Sequence, residues 1–396
     1  MRIGLVTPRY GKAVVGGSES MMREAAQGFA GRGYEVEVLT TCAKDHYTWA
    51  NEYEQGVEED GGVLVRRFPV LKPSSVTEYV RLATKIDLGE ELTPAEELAW
   101  ADGLFRVPDL YTYLAAMADS YSCILFSPYL FWTTLYGASI APERTVLIPC
   151  LHDEPQARVG LVASLLSNSK GVWFLSEPEH QLAHRLARLS AHHRVIGSGV
   201  KVPDHYDPTG FKARHGLTRP FILYAGRREK GKGWEFLLDA FAVAAARYSF
   251  PYDLVTIGVG SIQVPEMLRG RVIDLGFLEE EEVPHAFAAA DLYVQPSPNE
   301  SFSRTIMEAW LAGTPVAATD RSAVLTWHCE LSGGGLTFHD QSELVQILLL
   351  VAEGSKVLTE MAAVGRDYVL ENYTWERILD LMEEALYVLG TTNKDA

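Results

Sequence analysis

The strongest constraint on this chain is that short apolar runs alternate with helical-period segments, twice over. RIGLVTP reads as a strand and GKAVVGG as a glycine-bearing loop. Behind Ser18, the predicted helix cap, Met22, Ala25 and Phe29 recur at helical spacing. Gly31 and Gly33 end that helix, and YEVEVLTT alternates as the next strand. Strand signals return at CILFS, RTVLIPCLHD, KGVWFLS and HRVIGSGV. A second series opens with FILYAGR and the apolar helix WEFLLDAFAVAAARY, then runs through DLVTIGVG, RVIDLGF, ADLYVQPS and TPVAATD. Between the two lies KVPDHYDPTGFKARHGLTRP, rich in Pro, Gly and charge and without periodicity. Such alternation predicts an α/β protein of two doubly wound, Rossmann-like domains. The expected boundaries are a first domain over 1–200 with helices inserted at about 52–120, a linker at 201–218 and a second domain over 219–372. A last amphipathic helix over 373–396 would return to the first domain, with the tail TTNKDA loose.

Length agrees, since 396 residues exceed one ordinary core. The formal charge of −17 repels nucleic acid and anionic lipid at long range, so neither is an expected partner. Peripheral membrane association remains open, as does the oligomeric state. Cys42, Cys123, Cys150 and Cys329 lie far apart with no C-x-x-C pair, which fits reduced thiols and a cytoplasmic location. Residues 120–142 carry no charge and are long enough to span a bilayer, but Pro128 splits them and their Ser and Thr content favours a buried strand and aromatic segment.

In doubly wound folds, ligands bind beyond the carboxyl ends of the strands. Four stretches fall at such ends. In PNESFSRTIMEAWLAG, a loop bearing Glu300 precedes a helix expected to start at about Ser303, with Glu308 inside it. The amides of residues 302–305 would face a ligand at the positive end of the helix dipole. A capping acid and an ordinary helix glutamate would look the same. In LYAGRREKGKGW, Arg227 and Lys232 suit a diphosphate, though a solvated basic turn containing Arg228 is an equal reading. In VVGGSES, Gly16 and Gly17 allow close backbone approach to an anion, or mark a plain turn. In CLHDEP, His152 offers acid–base or hydroxyl-binding chemistry, or a structural hydrogen bond. The histidines of AHHR (191–194) read most simply as a solvated helix end. No dinucleotide fingerprint, Walker loop, H-E-x-x-H or G-x-S-x-G is present.

In this order, G-G-x-E (Gly16, Gly17, Glu19), His152, A-G-R…K-G (Gly226, Arg227, Lys232, Gly233) and E-x7-E (Glu300, Glu308) resemble glycosyltransferase family 4. These are retaining nucleotide-sugar transferases of the GT-B fold, two domains facing across a cleft. The resemblance spans most of the chain and includes VIGSGV (195–200) before the linker. It implies a hexosyltransferase using a nucleoside diphosphate sugar as co-substrate, with no cofactor and no divalent metal. The acceptor hydroxyl would belong to a lipid, a growing polysaccharide or a small metabolite. Glu308 would hold the ribose diol, Arg227 and Lys232 the leaving diphosphate. Glu300 and the amides of Ser301, Phe302, Ser303, Arg304 and Thr305 would hold the sugar and its phosphate. Gly16 and Gly17 would close on the diphosphate, and His152 would touch the sugar. Where the family often has E-G-F-G, this chain has Glu300-Ser301-Phe302-Ser303. An epimerase or phosphorylase, a non-catalytic nucleotide-sugar-binding protein, and a lipid-surface protein are the competing readings.

Overall fold

A computed structural model describes residues 1–390, so the TTNKDA reading lies outside the described residues. The chain forms two compact units, Met1–Gly199 with the segment from Trp375, and Val200–Thr374.

The first unit holds an eight-stranded sheet. Its strands are β1 (Arg2–Val6), β2 (Glu35–Thr41), β3 (Gly56–Asp60), β4 (Val63–Phe68), β5 (Cys123–Phe126), β6 (Thr145–Leu147), β7 (Gly171–Phe174) and β8 (His193–Val195). They run in the order β3-β4-β2-β1-β5-β6-β7-β8, parallel except for β3. The order reverses between β1 and β5, as in nucleotide-binding doubly wound sheets. Strands β3 and β4 fall inside the stretch read as inserted helices. They escape the pattern because β3 is an exposed acidic strand and β4 mixes the buried Arg67 and half-buried Arg66 with its buried Val63, Val65 and Phe68. Arg67 is paired with Glu58 at 2.6 Å and Arg66 with the buried Glu37 at 2.8 Å. Helices do follow, at Thr77–Asp87, Pro94–Asp102 and Pro108–Met117. Gly16, not Ser18, caps the first helix, Gly17–Gly31. Residues 120–142 are β5 and short helical turns buried in the core, and no described helix is long and apolar enough to cross a membrane. The helix Trp375–Val388 lies on Gly17–Gly31, with Trp375 Nε1 donating to Glu24 Oε2 at 2.7 Å and Arg32 meeting Glu383 at 2.7 Å.

The second unit holds six parallel strands, β9 (Phe221–Ala225), β10 (Asp253–Ile257), β11 (Val272–Gly276), β12 (Leu292–Gln295), β13 (Val316–Thr319) and β14 (Gly335–Phe338). Their order is β11-β10-β9-β12-β13-β14, which reverses between β9 and β12. Helix Trp234–Tyr248 contributes Trp234, Leu237, Leu238 and Phe241 to the core beneath. Residues 201–218, read as a linker, are folded into this unit. They contain the helix Pro208–Arg214, whose Phe211 is fully buried and whose Arg214 meets Glu282 at 3.0 Å.

Candidate functional site

The second unit assembles its site at the strand-order reversal. Lys232 follows β9, and the loop 297–303 follows β12. Gly233 explains how they meet. It adopts φ 73°, and a Cβ there would stand 2.3 Å from the Pro296 carbonyl oxygen, so only glycine lets the chain pass this close. Lys232 Nζ then reaches Glu300 Oε1 at 2.8 Å, the Asn299 carbonyl at 3.2 Å and Ser297 Oγ at 3.4 Å. Glu300 is largely shielded (13% exposed) and Lys232 less so (24%), which leaves the ammonium reachable from solvent.

Gln295, buried at the end of β12, clamps the far side of the same loop. Its Nε2 donates to Ser303 Oγ at 3.1 Å and to Thr305 Oγ1 at 3.0 Å. Ser303 caps the helix Arg304–Leu311 in a left-handed conformation, φ 67° and ψ 77°, where glycine is the unstrained residue. The serine tolerates it through the Gln295 bond. The helix therefore starts at Arg304, and its first turn follows directly on the loop. Phe302 contributes no exposed side chain. It is buried, with its ring edge-on to His328 and Tyr373 at 5.2 and 5.0 Å, and so anchors the loop from below. Burial lowers the His328 pKa to about 3, so that imidazole is neutral. Ser301 and Glu308 are half-buried. Burial, joined by the charges of Glu300 and Glu308, drives up the pKa of Tyr293.

Arg227 is half-exposed and 3.4 Å from Glu229. Its carbonyl accepts from Tyr224 at 2.6 Å, and the Tyr224 hydroxyl is in turn raised in pKa by burial first and then by Glu300. Arg228 is no solvated basic residue. It is buried and pairs with Asp274, while donating to Thr256 at 3.1 Å and the Gly258 carbonyl at 2.6 Å, which ties β9, β10 and β11 together.

The first unit carries the other predicted residues. Gly16 is required because Glu19 folds back on it, and a Cβ would stand 2.2 Å from Glu19 Oε2. Glu19 is buried against Arg9, which also donates to the Val15 and Lys44 carbonyls at 3.2 and 3.1 Å. That glutamate is thus structural. Gly17 is exposed with open space where a Cβ would be. His152 lies in the loop after β6, 30% exposed, with Nδ1 3.7 Å from Glu154 Oε1, which accepts from Tyr129 at 2.6 Å. Cys150, two residues earlier, is left-handed at φ 55°.

One important residue left no motif. Glu179, fully buried in the helix Glu177–Leu186, accepts from the Leu151 amide at 2.7 Å and the Leu175 amide at 2.6 Å. Burial raises its pKa to about 8, against the pull of the backbone amides around it. The nearby Cys150 thiol is pushed up by burial and then by the charges of Glu179 and Glu19. A separate cavity of about 200 Å³ lies among aromatic side chains including Trp49, Trp100, Phe105 and Trp132. Trp49 and Trp100 are nearly fully buried, and their indole N–H groups meet no hydrogen-bond acceptor.

Two Rossmann-like units, each with a sheet whose strand order reverses, define the class of fold. Residues 219–352 match the family described as Glycosyl transferases group 1. It is 34% identical over 151 residues to the 2-deoxystreptamine glucosyltransferase of Streptomyces kanamyceticus, an alignment covering 33% of this chain and 38% of that protein. Alignments to the first three curated relatives span only 38, 35 and 32% of their lengths. A D-inositol 3-phosphate glycosyltransferase of Catenulispora acidiphila aligns over 95% of this chain and 91% of its own, at 25% identity. The fold recurs in sucrose-phosphate synthase of Thermosynechococcus elongatus, with a TM-score of 0.74 and 19% identity over 99% of this chain and 100% of that one. It recurs also in Anabaena HepE solved with UDP and glucose, with a TM-score of 0.70 and 18% identity over 97 and 99% of the two chains. The fold class is that of the GT-B glycosyltransferases.

Proposed function

We propose that the protein is a retaining, metal-independent transferase of the family 4 type, moving a hexose from a nucleoside diphosphate sugar to a hydroxyl acceptor in the cytoplasm. The observation that carries the reading is the convergence of Lys232, Glu300 and the first amides of Arg304–Leu311 at the strand reversal of the second unit. An ammonium and a helix N-terminus on one loop suit a diphosphate. Arg227 adds a second cation, and Glu308 accepts from the ribose diol. Lys232 is neutralised by Glu300 in the free protein; a bound diphosphate takes over the ammonium, and Glu300 turns to the sugar hydroxyls. As the glycosidic bond to the diphosphate breaks, the negative charge on the leaving oxygen rises. Cations and amides already in place stabilise that charge without reorganisation. The leaving phosphate takes the acceptor proton. The aromatic cavity, with its two indole donors, suits an acceptor carrying both apolar and oxygen-bearing faces.

The test is turnover. Protein incubated with UDP-, GDP-, dTDP- and ADP-hexoses is assayed for diphosphate release, with and without EDTA, and the product's anomeric configuration is read by NMR. Release from one donor, unchanged by EDTA and with the configuration kept, is expected. No release from any donor would leave a nucleotide-sugar-binding protein, and inversion would exclude the retaining class.

A further inference from the structure

The helix Glu177–Leu186 and the edge strand β8 bring three imidazoles together. His180 and His184 stand one turn apart on one helix face, and His193 opens β8. His180 Nε2 lies 2.9 Å from His193 Nδ1 and 3.0 Å from His184 Nε2, and one nitrogen of each ring falls within 4.8 Å of the others. AHHR is therefore not a helix end; its second histidine belongs to a strand facing two more.

Hydrogen bonding does not account for this packing. A ring nitrogen of neutral imidazole presents either one proton or one lone pair, so it serves one in-plane partner. Here two nitrogens converge on His180 Nε2. Three lone pairs aimed at one cation resolve the conflict. Tetrahedral nitrogens at about 2.0–2.1 Å from zinc stand about 3.3–3.4 Å apart, so small ring rotations open this cluster to that spacing. The other nitrogen of His180 faces a carboxylate, Nδ1 to Glu177 Oε2 at 3.4 Å, which is the arrangement that orients metal-bound imidazoles. His180 is largely shielded (18% exposed) and backed by the Phe174 ring at 5.0 Å, whereas His184 is exposed and leaves a side open to water.

We propose that His180, His184 and His193 bind one divalent transition-metal ion of the zinc type, with water in the fourth position. Imidazole is a borderline ligand that suits zinc, cobalt and nickel and not magnesium or calcium. The ion clips edge strand β8 to the helix Glu177–Leu186. None of its ligands belongs to the donor site, so the proposal stands apart from the transferase reading.

Untagged full-length protein is stripped with EDTA, dialysed, and titrated with Zn²⁺ by calorimetry and thermal unfolding, and with Co²⁺ by visible absorption. One Zn²⁺ per chain, a raised unfolding midpoint and a tetrahedral Co²⁺ spectrum are expected. His184→Ala, at an exposed position, keeps the metal-free midpoint and lowers affinity at least about tenfold. His184→Gln repeats the comparison should the alanine variant unfold early. No zinc binding by the parent, or equal binding by parent and both variants, would overturn the site.

Discussion

The two units solve one problem in opposite ways. Each must hold a loop at a strand's carboxyl end, and each loop contains a left-handed residue that is not glycine, Cys150 in the first unit and Ser303 in the second. The first unit holds its loop from inside, through the fully buried Glu179 accepting backbone amides. The second holds its loop from the solvent side, through Lys232 and Glu300, with Gln295 behind. A buried clamp is permanent. A clamp made of a reachable ion pair opens to a ligand that competes for the cation, so the proposed diphosphate site predicts ligand-dependent change in the second unit.

Mutation can break this contrast. The largest effect is expected at Glu179. Glu179→Ala orphans at least two buried amides at about 1–3 kcal/mol each, so the loss in denaturant unfolding should be roughly 2–6 kcal/mol. Its titration adds a pH signature. The folded pKa of about 8 lies above the unfolded value of about 4.3, so this group's contribution is full below pH ~4.3 and is lost as pH rises through 8. The parent should therefore lose stability relative to Glu179→Gln between those limits, by up to about 1.4 kcal/mol per pH unit. Parallel pH profiles for the two proteins would mean that Glu179 is no buried clamp. The smallest effect is expected at Ser303. Glycine relieves left-handed strain of about 1–2 kcal/mol but loses a hydrogen bond contributing about 0.5–1.5 kcal/mol, so Ser303→Gly should fall between a loss of about 0.5 and a gain of about 1.5 kcal/mol in stability. A loss well beyond that would make the Gln295 bond the dominant restraint on the loop.

The same contrast decides what was legible in the sequence. The sheets were readable because strands buried on both faces are continuous apolar runs, and the Lys232–Glu300 pair lay within readable stretches because both are charged residues at loop ends. Gly233 was visible as a motif, but its reason, the Pro296 carbonyl against its α-carbon, was not. Strand β3 hid behind its exposed acidic residues, and β4 behind two arginines paired with Glu37 and Glu58. Residues 201–218 hid behind their Pro, Gly and charge, although Phe211 folds them into a core. Glu179 looked like any helix glutamate, because burial comes from packing and leaves no local signature. His193 gave no sign of its partners, since its proximity to His180 and His184 depends on how β8 lies against the helix.

The central claim is that Lys232 leaves Glu300 for a diphosphate. It is tested most directly by calorimetric titration of parent, Lys232→Ala and Glu300→Gln with the diphosphate of the productive donor. Lys232→Ala should bind about 10- to 150-fold more weakly, as expected for a charged hydrogen bond of about 1.5–3 kcal/mol, while Glu300→Gln, with its lysine released, should bind at least as tightly as the parent. Equal affinity in parent and Lys232→Ala would contradict the account.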